Sequence, residues 1–255
     1  MQFATFHDLE DQSIFITGGG AGIGADLTKG FLSQGAKVTF IQRSNPEKFL
    51  IECKGRYKHE PSFHKCDVTD TKGLKTALQA TAKKQGPISI LVNNAANDTR
   101  HKLSEFTPDD WDKTMNVNLK PHFFAAQEVA EGMKKNGGGS IINFSSISYM
   151  MGNEGYPVYA TAKSAITGLT RSLARELGPF NIRVNAIMPG WVLTKRQMDL
   201  WATEEALSKH LDRQCLKEHL SGCDIVGGTL FLASGASKMV TSQALVIDGG
   251  VVVTG

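Results

Sequence analysis

Thr17-Gly18-Gly19-Gly20-Ala21-Gly22-Ile23-Gly24 is the stretch that decides the fold. It follows the short apolar run Ser13–Thr17 (SIFIT) and leads directly into a helical pattern over about 22–34. Unpaired N–H groups at a helix N-terminus bind anions, and glycines allow the backbone to approach a pyrophosphate closely. Because this stretch joins the first strand to the first helix, we interpret it as a dinucleotide-binding loop rather than as a tight turn without a ligand.

Short runs of β-forming residues alternate with longer amphipathic stretches along the rest of the chain. Strands are predicted at Ser13–Thr17, Lys37–Ile41, Ser62–Cys66, Ile88–Val92, Ser140–Phe144, Ile182–Ile187 and Ala244–Ile247, and helices at about 22–34, 46–56, 70–85, 108–134, 157–178 and 223–234. Gly35 and Gly178 are placed to end two of these helices. Several strands are apolar on both faces, which is typical of parallel strands covered by helices. The alternation predicts an α/β fold with one doubly wound parallel sheet of about seven strands.

Length and composition narrow the classes of protein. The 255 residues contain no Pro/Gly/Ser-rich linker, charge block or repeat, so we expect a single domain over 1–255 in which the polar stretch 191–220 is a substrate lid. With 28 Lys+Arg against 25 Asp+Glu, the net charge of +3 is too small to indicate a nucleic-acid partner. No apolar run approaches the roughly 18 residues needed to span a membrane, and the start MQFATFHDLEDQ does not resemble a signal peptide. A cytoplasmic protein is therefore expected.

Cysteines and histidines do not form a convincing metal site. The four cysteines are Cys53, Cys66, Cys215 and Cys223, without a C-x-x-C pair. Cys215, His219 and Cys223 would share one face of an unbroken helix, but Ser221-Gly222 interrupts it. No bound metal is predicted.

Five motifs in order carry a resemblance to a known family. The glycine loop is followed by Asn93-Asn94-Ala95, then Ser146, then Tyr159-x-x-x-Lys163, then Pro189-Gly190. From about residue 8 to 250 this order resembles the short-chain dehydrogenase/reductase family. The resemblance implies a Rossmann-type fold and an oxidoreductase that transfers hydride to or from NAD or NADP.

The expected catalytic residues are Asn118, Ser146, Tyr159 and Lys163. Tyr159 and Lys163 lie four residues apart in a helical pattern and so share a face, and a phenol that titrates near 10 needs a nearby cation to act as a base at neutral pH. The family's spacing selects Ser146 over the neighbouring Ser145 as the group that binds the substrate oxygen. Asn118 matches the family's helix asparagine, which orders a water chain to the lysine. Asn116 is the alternative if that register is wrong.

The end of the second predicted strand indicates which nucleotide is preferred. An acid there would bind a free ribose 2′-hydroxyl, but Gln42 occupies the place and Arg43 could pair with a 2′-phosphate. NADP is therefore favoured and NAD remains open, because Ala21 replaces a second basic residue of many NADP-using relatives. By the same resemblance, Asp67 and Val68 hold the adenine, Asn94 the adjacent ribose, and Val192 and Thr194 the carboxamide. The full set implied is Gly18, Gly22, Ile23, Gly24, Gln42, Arg43, Asp67, Val68, Asn94, Ala95, Tyr159, Lys163, Pro189, Gly190, Val192 and Thr194.

Loop sequences point to a sugar substrate. NNAxNDxRHKL, LARELGPxxIRV and PGxVxTKRQ resemble the aldose 1-dehydrogenases of the family, among them bacterial D-xylose 1-dehydrogenase, which oxidise the anomeric hydroxyl of a pyranose to an aldonolactone. Ala96 and Gln42-Arg43 depart from that pattern. Polar and indole side chains suit a small polyol ring, whereas a steroid or acyl pocket would be more apolar. The substrate residues expected are Asn97, Ser146, Ser148, Asn153, Tyr159, Trp191, Arg196 and Gln197, and pentoses, hexoses and 6-deoxyhexoses all remain open.

Two other functions are weighed against a sugar dehydrogenase. A 3-oxoacyl-thioester reductase, or another carbonyl reductase of the family, would share the catalytic residues but should show a basic surface for an acidic carrier. A non-catalytic dinucleotide-binding protein would be expected to lack part of the catalytic set. Relatives that end in an apolar tail such as Val251-Val252-Val253-Thr254-Gly255 usually form homotetramers, so a homotetramer is expected here.

Overall fold

The chain folds around one seven-stranded parallel sheet in a computed structural model that describes residues 3–253. The strands are β1 (Ser13–Thr17), β2 (Lys37–Gln42), β3 (Ser62–Lys65), β4 (Ile90–Asn93), β5 (Gly139–Phe144), β6 (Ile182–Pro189) and β7 (Ala244–Ile247). They lie in the order β3-β2-β1-β4-β5-β6-β7, and every pairing is parallel. The order reverses between β1 and β4, and such a switch point opens a crevice at the carboxyl ends of the strands.

Helices cover both faces of this sheet. They are α1 (Gly22–Ser33), α2 (Glu47–Cys53), α3 (Thr71–Gln85), α4 (Pro108–Asn118), α5 (Lys120–Lys135), α6 (Ser148–Met151), α7 (Pro157–Leu177), α8 (Lys195–Leu200), α9 (Glu204–Arg213) and α10 (Gly222–Ala233). All five residues of β1 are buried; Ile14 and Ile16 join one apolar core with α1 and α10, and Phe15 joins another with α3, α5 and α7. The predicted parallel sheet flanked by helices is confirmed.

Two helix predictions need correction. The single helix expected over 108–134 is two helices, because the chain leaves helical geometry at Leu119 with φ −126° and ψ −52°. Pro121 explains the break, since proline cannot donate to the carbonyl four residues earlier and its ring collides with that turn. Gly178 does follow the end of α7, but it keeps a helical φ of −53° and the chain continues as a short 3₁₀ turn. Asn181, with φ 59°, takes the left-handed conformation instead.

Segment 191–220 leaves the sheet and returns to it at one point. Val192 and Leu220 form an isolated parallel bridge, and the Leu193 amide donates to the Leu220 carbonyl at 2.8 Å. Between these ends lie α8 and α9, whose first turns are capped by the side chains of Thr194 and Thr203. Because its two ends are joined, the segment is a local insertion at the carboxyl edge of the sheet.

Two further observations concern the residues between Phe3 and Val253. No helix among them is long and apolar enough to cross a membrane. They also contain no group of three or more His, Cys, Asp or Glu side chains that could hold a metal ion. Met1, Gln2, Thr254 and Gly255, which belong to the predicted domain and tail, lie outside the described residues.

Candidate active site

A cavity of about 1270 Å³ lies at the carboxyl edge of the sheet. Its walls come from the glycine loop, the ends of β2, β4, β5 and β6, helix α7 and segment 191–220. Every residue that the sequence predicts for cofactor or substrate binding lines it. Of the predicted catalytic set, Ser146, Tyr159 and Lys163 line the cavity, and Asn118 lies behind its wall. The structure therefore brings these residues together at one place.

The glycine loop, residues 17–24, has a shape that requires glycine. Gly22 has φ +52°, and a Cβ on Gly24 would collide with the main-chain oxygen of Gly18. Ala21 precedes α1 without a side-chain cap, so the first amides of the helix remain free for a ligand. A pyrophosphate suits this cradle because it is anionic and needs close backbone approach. The loop therefore fits a dinucleotide.

Asn94, the residue after β4, supports the glycine loop through hydrogen bonds. Its amide nitrogen donates to the carbonyls of Thr17 at 3.0 Å and Gly18 at 3.2 Å. In return, the Thr17 hydroxyl accepts from the main-chain amides of Asn94 and Ala95, both at 3.0 Å. The sequence predicted Asn94 near the ribose, and the structure shows in addition that its side chain shapes the phosphate loop.

The end of β2 presents an exposed cation. The Arg43 side chain is 78% exposed and lies 3.8 Å from the carboxylate of Asp67, a loose and screened ion pair. The Gln42 amide donates to the carbonyl of Ser44 at 3.0 Å, so it occupies the strand end without carrying a charge. An exposed guanidinium beside an uncharged strand end can pair with a phosphate.

Tyr159 and Lys163 lie on the face of α7 that borders the cavity. Lys163 is 1% exposed, and its Nζ donates to the Phe144 carbonyl at 2.7 Å and lies 5.6 Å from the centroid of the Tyr159 ring. Burial lowers the pKa of Lys163 to about 7. Burial also raises the pKa of Tyr159, the charge of Asp98 adds to this rise, and hydrogen bonding with Ser146 opposes it.

This result differs from the expectation that Lys163 lowers the pKa of Tyr159. The physical reason is desolvation, which disfavours the charged forms of both groups. The ammonium of Lys163 is also directed to the end of β5 by the Phe144 carbonyl. A low phenol pKa therefore does not follow from helical spacing alone.

The two adjacent serines have different partners. The Ser145 hydroxyl donates to the main-chain carbonyl of Lys163 at 2.7 Å and so helps to seat α7 on β5. The Ser146 hydroxyl accepts from the Ser148 amide at 3.1 Å, lines the cavity together with Tyr159, and opposes the rise in the pKa of that phenol. This geometry favours Ser146 over Ser145 for contact with a substrate oxygen.

Asn118 holds the loop that follows β4. It is fully buried, its Oδ1 accepts from the Asn97 amide at 2.8 Å, and its Nδ2 donates to the Asn97 carbonyl at 3.0 Å. A third hydrogen bond to the Thr114 carbonyl ties it to α4. In the structure these three contacts are made by Asn118, the residue that the sequence selects in preference to Asn116.

The predicted substrate residues Trp191, Arg196 and Gln197 form one network with Asn97. The Trp191 indole donates to Gln197 Oε1 at 2.9 Å, and Arg196 Nη2 donates to Asn97 Oδ1 at 2.9 Å. Ser148 and Asn153 also line the cavity; the Ser148 hydroxyl is buried without a partner among residues 3–253, and Asn153 is exposed beside Tyr156.

Two residues in the loop after β4 that are not in the expected substrate set, Asp98 and Arg100, also line the cavity. Asp98 accepts from Gln197 Nε2 at 2.6 Å and from Arg196 Nε at 3.4 Å. The Arg100 guanidinium lies 4.3 Å from the ring centroid of Trp201 and 5.8 Å from that of Tyr156. The position of this loop after β4 predicts that it borders the cavity, but the partners of Asp98 and Arg100 lie 56 to 101 residues further along the chain and cannot be paired from the sequence.

Comparisons with known proteins agree with this architecture. Residues 18–252 match the family described as "Enoyl-(Acyl carrier protein) reductase". The chain is similar to "Probable galactose dehydrogenase GalD" of Rhizobium meliloti, at 46% identity over 96% of this chain and 97% of that protein. It is also similar to "D-xylose 1-dehydrogenase" of Caulobacter vibrioides, at 42% identity over 98% of this chain and 99% of that one.

More distant similarity extends to reductases and to solved structures. A "3-oxoacyl-[acyl-carrier-protein] reductase FabG" of Thermotoga maritima is 37% identical over 96% of this chain and 99% of its own. The crystal structure of a putative short-chain alcohol dehydrogenase from Sinorhizobium meliloti aligns with a TM-score of 0.90 at 30% identity, over 96% of this chain and 98% of the other. With its glycine loop and Tyr159-x-x-x-Lys163 helix, the chain belongs to the short-chain dehydrogenase/reductase family and is an NAD(P)-dependent oxidoreductase.

Proposed function

We propose that this protein oxidises the anomeric C1 hydroxyl of a pyranose aldose, a pentose, hexose or 6-deoxyhexose, to the aldonolactone. The observation that carries this proposal is a polar network in the wall of the cavity that Tyr159 also lines, in which Asn97, Asp98, Arg196, Gln197 and Trp191 are joined by hydrogen bonds. Amides and a carboxylate bind sugar hydroxyls, and an indole contacts the C–H face of a sugar ring. The similar proteins named as galactose and D-xylose dehydrogenases support the same substrate class.

Tyr159 is the proposed base of the reaction. Its phenolate takes the proton of the C1 hydroxyl, the C1–O bond becomes a carbonyl, and the C1 hydrogen leaves as hydride. Bound NAD(P)⁺ supplies the hydride acceptor. Ser146, which lines the same cavity as Tyr159, is the group proposed to hold the same substrate oxygen.

Lys163 and Asn118 support this proton transfer. A charged Lys163 favours the phenolate of Tyr159, one helical turn away, and its ammonium is held beside β5 by the Phe144 carbonyl. Asn118 fixes the backbone of Asn97, which lines the same cavity as Tyr159. We propose that Asn118 is a positioning group. We also propose that it orders water near Lys163, the role that the corresponding asparagine has in the family.

The cofactor residues are proposed as the sequence predicts. Gly18, Gly22, Ile23 and Gly24 would hold the pyrophosphate, Asp67 and Val68 the adenine, and Asn94 and Ala95 the adjoining ribose. Pro189, Gly190, Val192 and Thr194 would border the nicotinamide, and Tyr159 and Lys163 its ribose. We infer a preference for NADP over NAD from the exposed Arg43 beside the uncharged Gln42.

A 3-oxoacyl-thioester reductase is the second candidate. It is favoured by the similarity to the Thermotoga maritima reductase and by the description of the matching family. Against it, the surface of α9 mixes Glu204, Glu205 and Asp212 with Lys209 and Arg213, so it lacks the uniform positive charge that an acidic carrier would need. A binding protein without turnover is disfavoured because Ser146, Tyr159 and Lys163 are all present around one cavity.

The test is turnover with a panel of substrates. The protein is incubated with NADP⁺ or NAD⁺ and D-xylose, L-arabinose, D-galactose, D-fucose or L-rhamnose, and the absorbance of the reduced cofactor is followed. At least one aldose should be oxidised, and the Tyr159→Phe variant should lose turnover while it keeps its affinity for the cofactor. Activity on acetoacetyl thioesters without activity on any aldose would instead establish the second candidate.

We also propose a homotetramer in the cytoplasm. Apolar side chains near the end of the chain are exposed, with Met239 at 90%, Leu245 at 36% and Val253 at 93%. Association would bury such side chains, because exposed apolar groups near one another favour contact with a partner. Light scattering after size exclusion should give the mass of four chains; the mass of one chain would reject the proposed assembly.

A further inference from the structure

Asp98 lies in the loop after β4 and contacts segment 191–220. Its carboxylate lines the cavity and the side chain is 26% exposed. The acids that line the cavity within residues 3–253 are Asp98 and Asp67, and Asp67 lies at the other end, beside Arg43. Asp98 is therefore the acid nearest to the reacting end of the site.

Both oxygens of this carboxylate contact α8. Oδ2 accepts from Gln197 Nε2 at 2.6 Å, and Oδ1 lies 3.4 Å from Arg196 Nε. Gln197 in turn accepts from the Trp191 indole at 2.9 Å, so the contact extends along the base of the segment. These bonds join α8 to the cavity wall across about a hundred residues of sequence.

The other side of Asp98 is anchored to the catalytic wall. The preceding residue, Asn97, is held by the buried Asn118: its main-chain amide donates to Oδ1 and its carbonyl accepts from Nδ2. The Asp98 carboxylate is therefore held both through its backbone and at its two oxygens. This fixes its orientation more firmly than a single exposed ion pair would.

The charge of Asp98 also reaches the groups that transfer the proton. It raises the pKa of Tyr159 and opposes the fall in the pKa of Lys163. Other charged or titratable groups on the surrounding elements are Arg100 from the same loop, Lys113 from α4, Tyr156 just before α7, Arg196 from α8, and Lys209, His210 and Arg213 from α9. Apart from Tyr156, these are basic side chains, so Asp98 supplies the local negative charge.

We propose that Asp98 is a positioning residue that holds α8 over the substrate and couples this contact to proton transfer at Tyr159. The proposal rests on the proposed function for its substrate, but the contact with α8 is present in the protein alone. With segment 191–220 held in this position, the Asp98 carboxylate is shared between Gln197, Arg196 and the cavity. Its remaining lone pairs are free to accept from a sugar hydroxyl.

The test compares Asp98→Asn, which keeps the shape and removes the charge, with Asp112→Asn. Asp112 is an exposed acid on α4 that does not line the cavity. Hydrogen exchange measured by mass spectrometry on the free protein should show residues 195–201 exchanging on the order of fivefold faster in Asp98→Asn only. This readout does not depend on turnover.

Kinetics provide the second readout. In Asp98→Asn, KM for the aldose should rise on the order of tenfold, as expected for the loss of a hydrogen bond to a charged group, with KM for the cofactor within about twofold. The acid limb of the pH profile of kcat/KM should move to lower pH by roughly half a unit, because removal of the negative charge favours the phenolate.

The outcomes separate this proposal from the proposed function. If the unmodified protein oxidises no aldose, the proposed function fails, and the exchange comparison still decides whether Asp98 holds α8. If the protein oxidises an aldose but Asp98→Asn matches Asp112→Asn in exchange or in the position of its acid limb, the coupling is overturned.

Discussion

The ammonium of Lys163 donates a hydrogen bond to the main-chain oxygen of Phe144 at 2.7 Å, while the centroid of the Tyr159 ring lies 5.6 Å away. Lys163 therefore joins α7 to the end of β5 as well as standing beside the phenol. It is 1% exposed, and burial lowers its pKa to about 7. A cation kept in such a place for chemistry is expected to reduce the stability of the fold.

Replacing Lys163 by Met should stabilise the protein and abolish turnover. The unfolded chain holds a proton on this lysine up to about pH 10.5, whereas the folded chain loses it near 7, so the cost of burial grows as the pH falls from 10.5 to 7. Urea unfolding should show a gain of about 1–3 kcal/mol at pH 6.5 and a smaller gain at pH 10. Lys83→Met, at an exposed site on α3, should change little. Lower stability of Lys163→Met at both pH values would contradict this prediction.

The sequence was sufficient to predict the sheet and the residues around the cavity. The apolar run SIFIT identifies β1 in the sequence, because a strand covered by helices on both faces carries such a run, and all five of its residues are buried in the structure. The four-residue spacing of Tyr159 and Lys163 places both on one face of α7. It could not predict the hydrogen bond from Lys163 to Phe144 or the contacts of Asp98 with α8. Those depend on how separate elements pack, and neither periodicity nor capping rules encode distances between distant residues.

Arg43→Ala should weaken NADP⁺ binding by about tenfold or more and leave NAD⁺ binding within about twofold. The guanidinium is 78% exposed, and its pair with Asp67 at 3.8 Å is weak enough to yield to a 2′-phosphate. Fluorescence titration with NADPH and NADH measures both affinities. Arg175→Ala, an exposed arginine on α7 outside the cavity, is the matched control. An equal loss for the two nucleotides would remove the reason for preferring NADP.

Gly24→Ala should disrupt nucleotide binding at the glycine loop. A Cβ there would collide with the main-chain oxygen of Gly18, and backbone cannot move aside as a flexible side chain can. We expect a loss of cofactor affinity of at least tenfold and a lower melting temperature. Gly168→Ala on α7 is the control, because a Cβ there meets no atom within 4 Å, and it should be neutral or stabilising by up to about 1 kcal/mol. Equal behaviour of the two variants would contradict the close packing of the loop.

His122→Phe should make the protein more resistant to acid. Burial lowers the pKa of His122 to about 3, against 6.5 for an ordinary histidine. Between these values the unfolded chain takes up a proton that the folded chain does not, so the stability tied to this residue is complete above pH 6.5 and is lost as the pH falls toward 3. Circular dichroism should show the midpoint of acid unfolding of His122→Phe at a lower pH. An unchanged midpoint, equal to that of the exposed His7→Phe control, would show that His122 does not limit acid stability.

Hydride transfer from C1 of the sugar is the central claim, and an isotope label tests it most directly. D-xylose and D-galactose carrying deuterium at C1 are incubated with the oxidised cofactor, and the reduced cofactor is analysed by mass spectrometry. The account predicts one deuterium on the nicotinamide, an aldonolactone as the product and no transfer with Tyr159→Phe. Reduced cofactor without deuterium, or no reduction with any aldose while acetoacetyl thioesters are turned over, would contradict it.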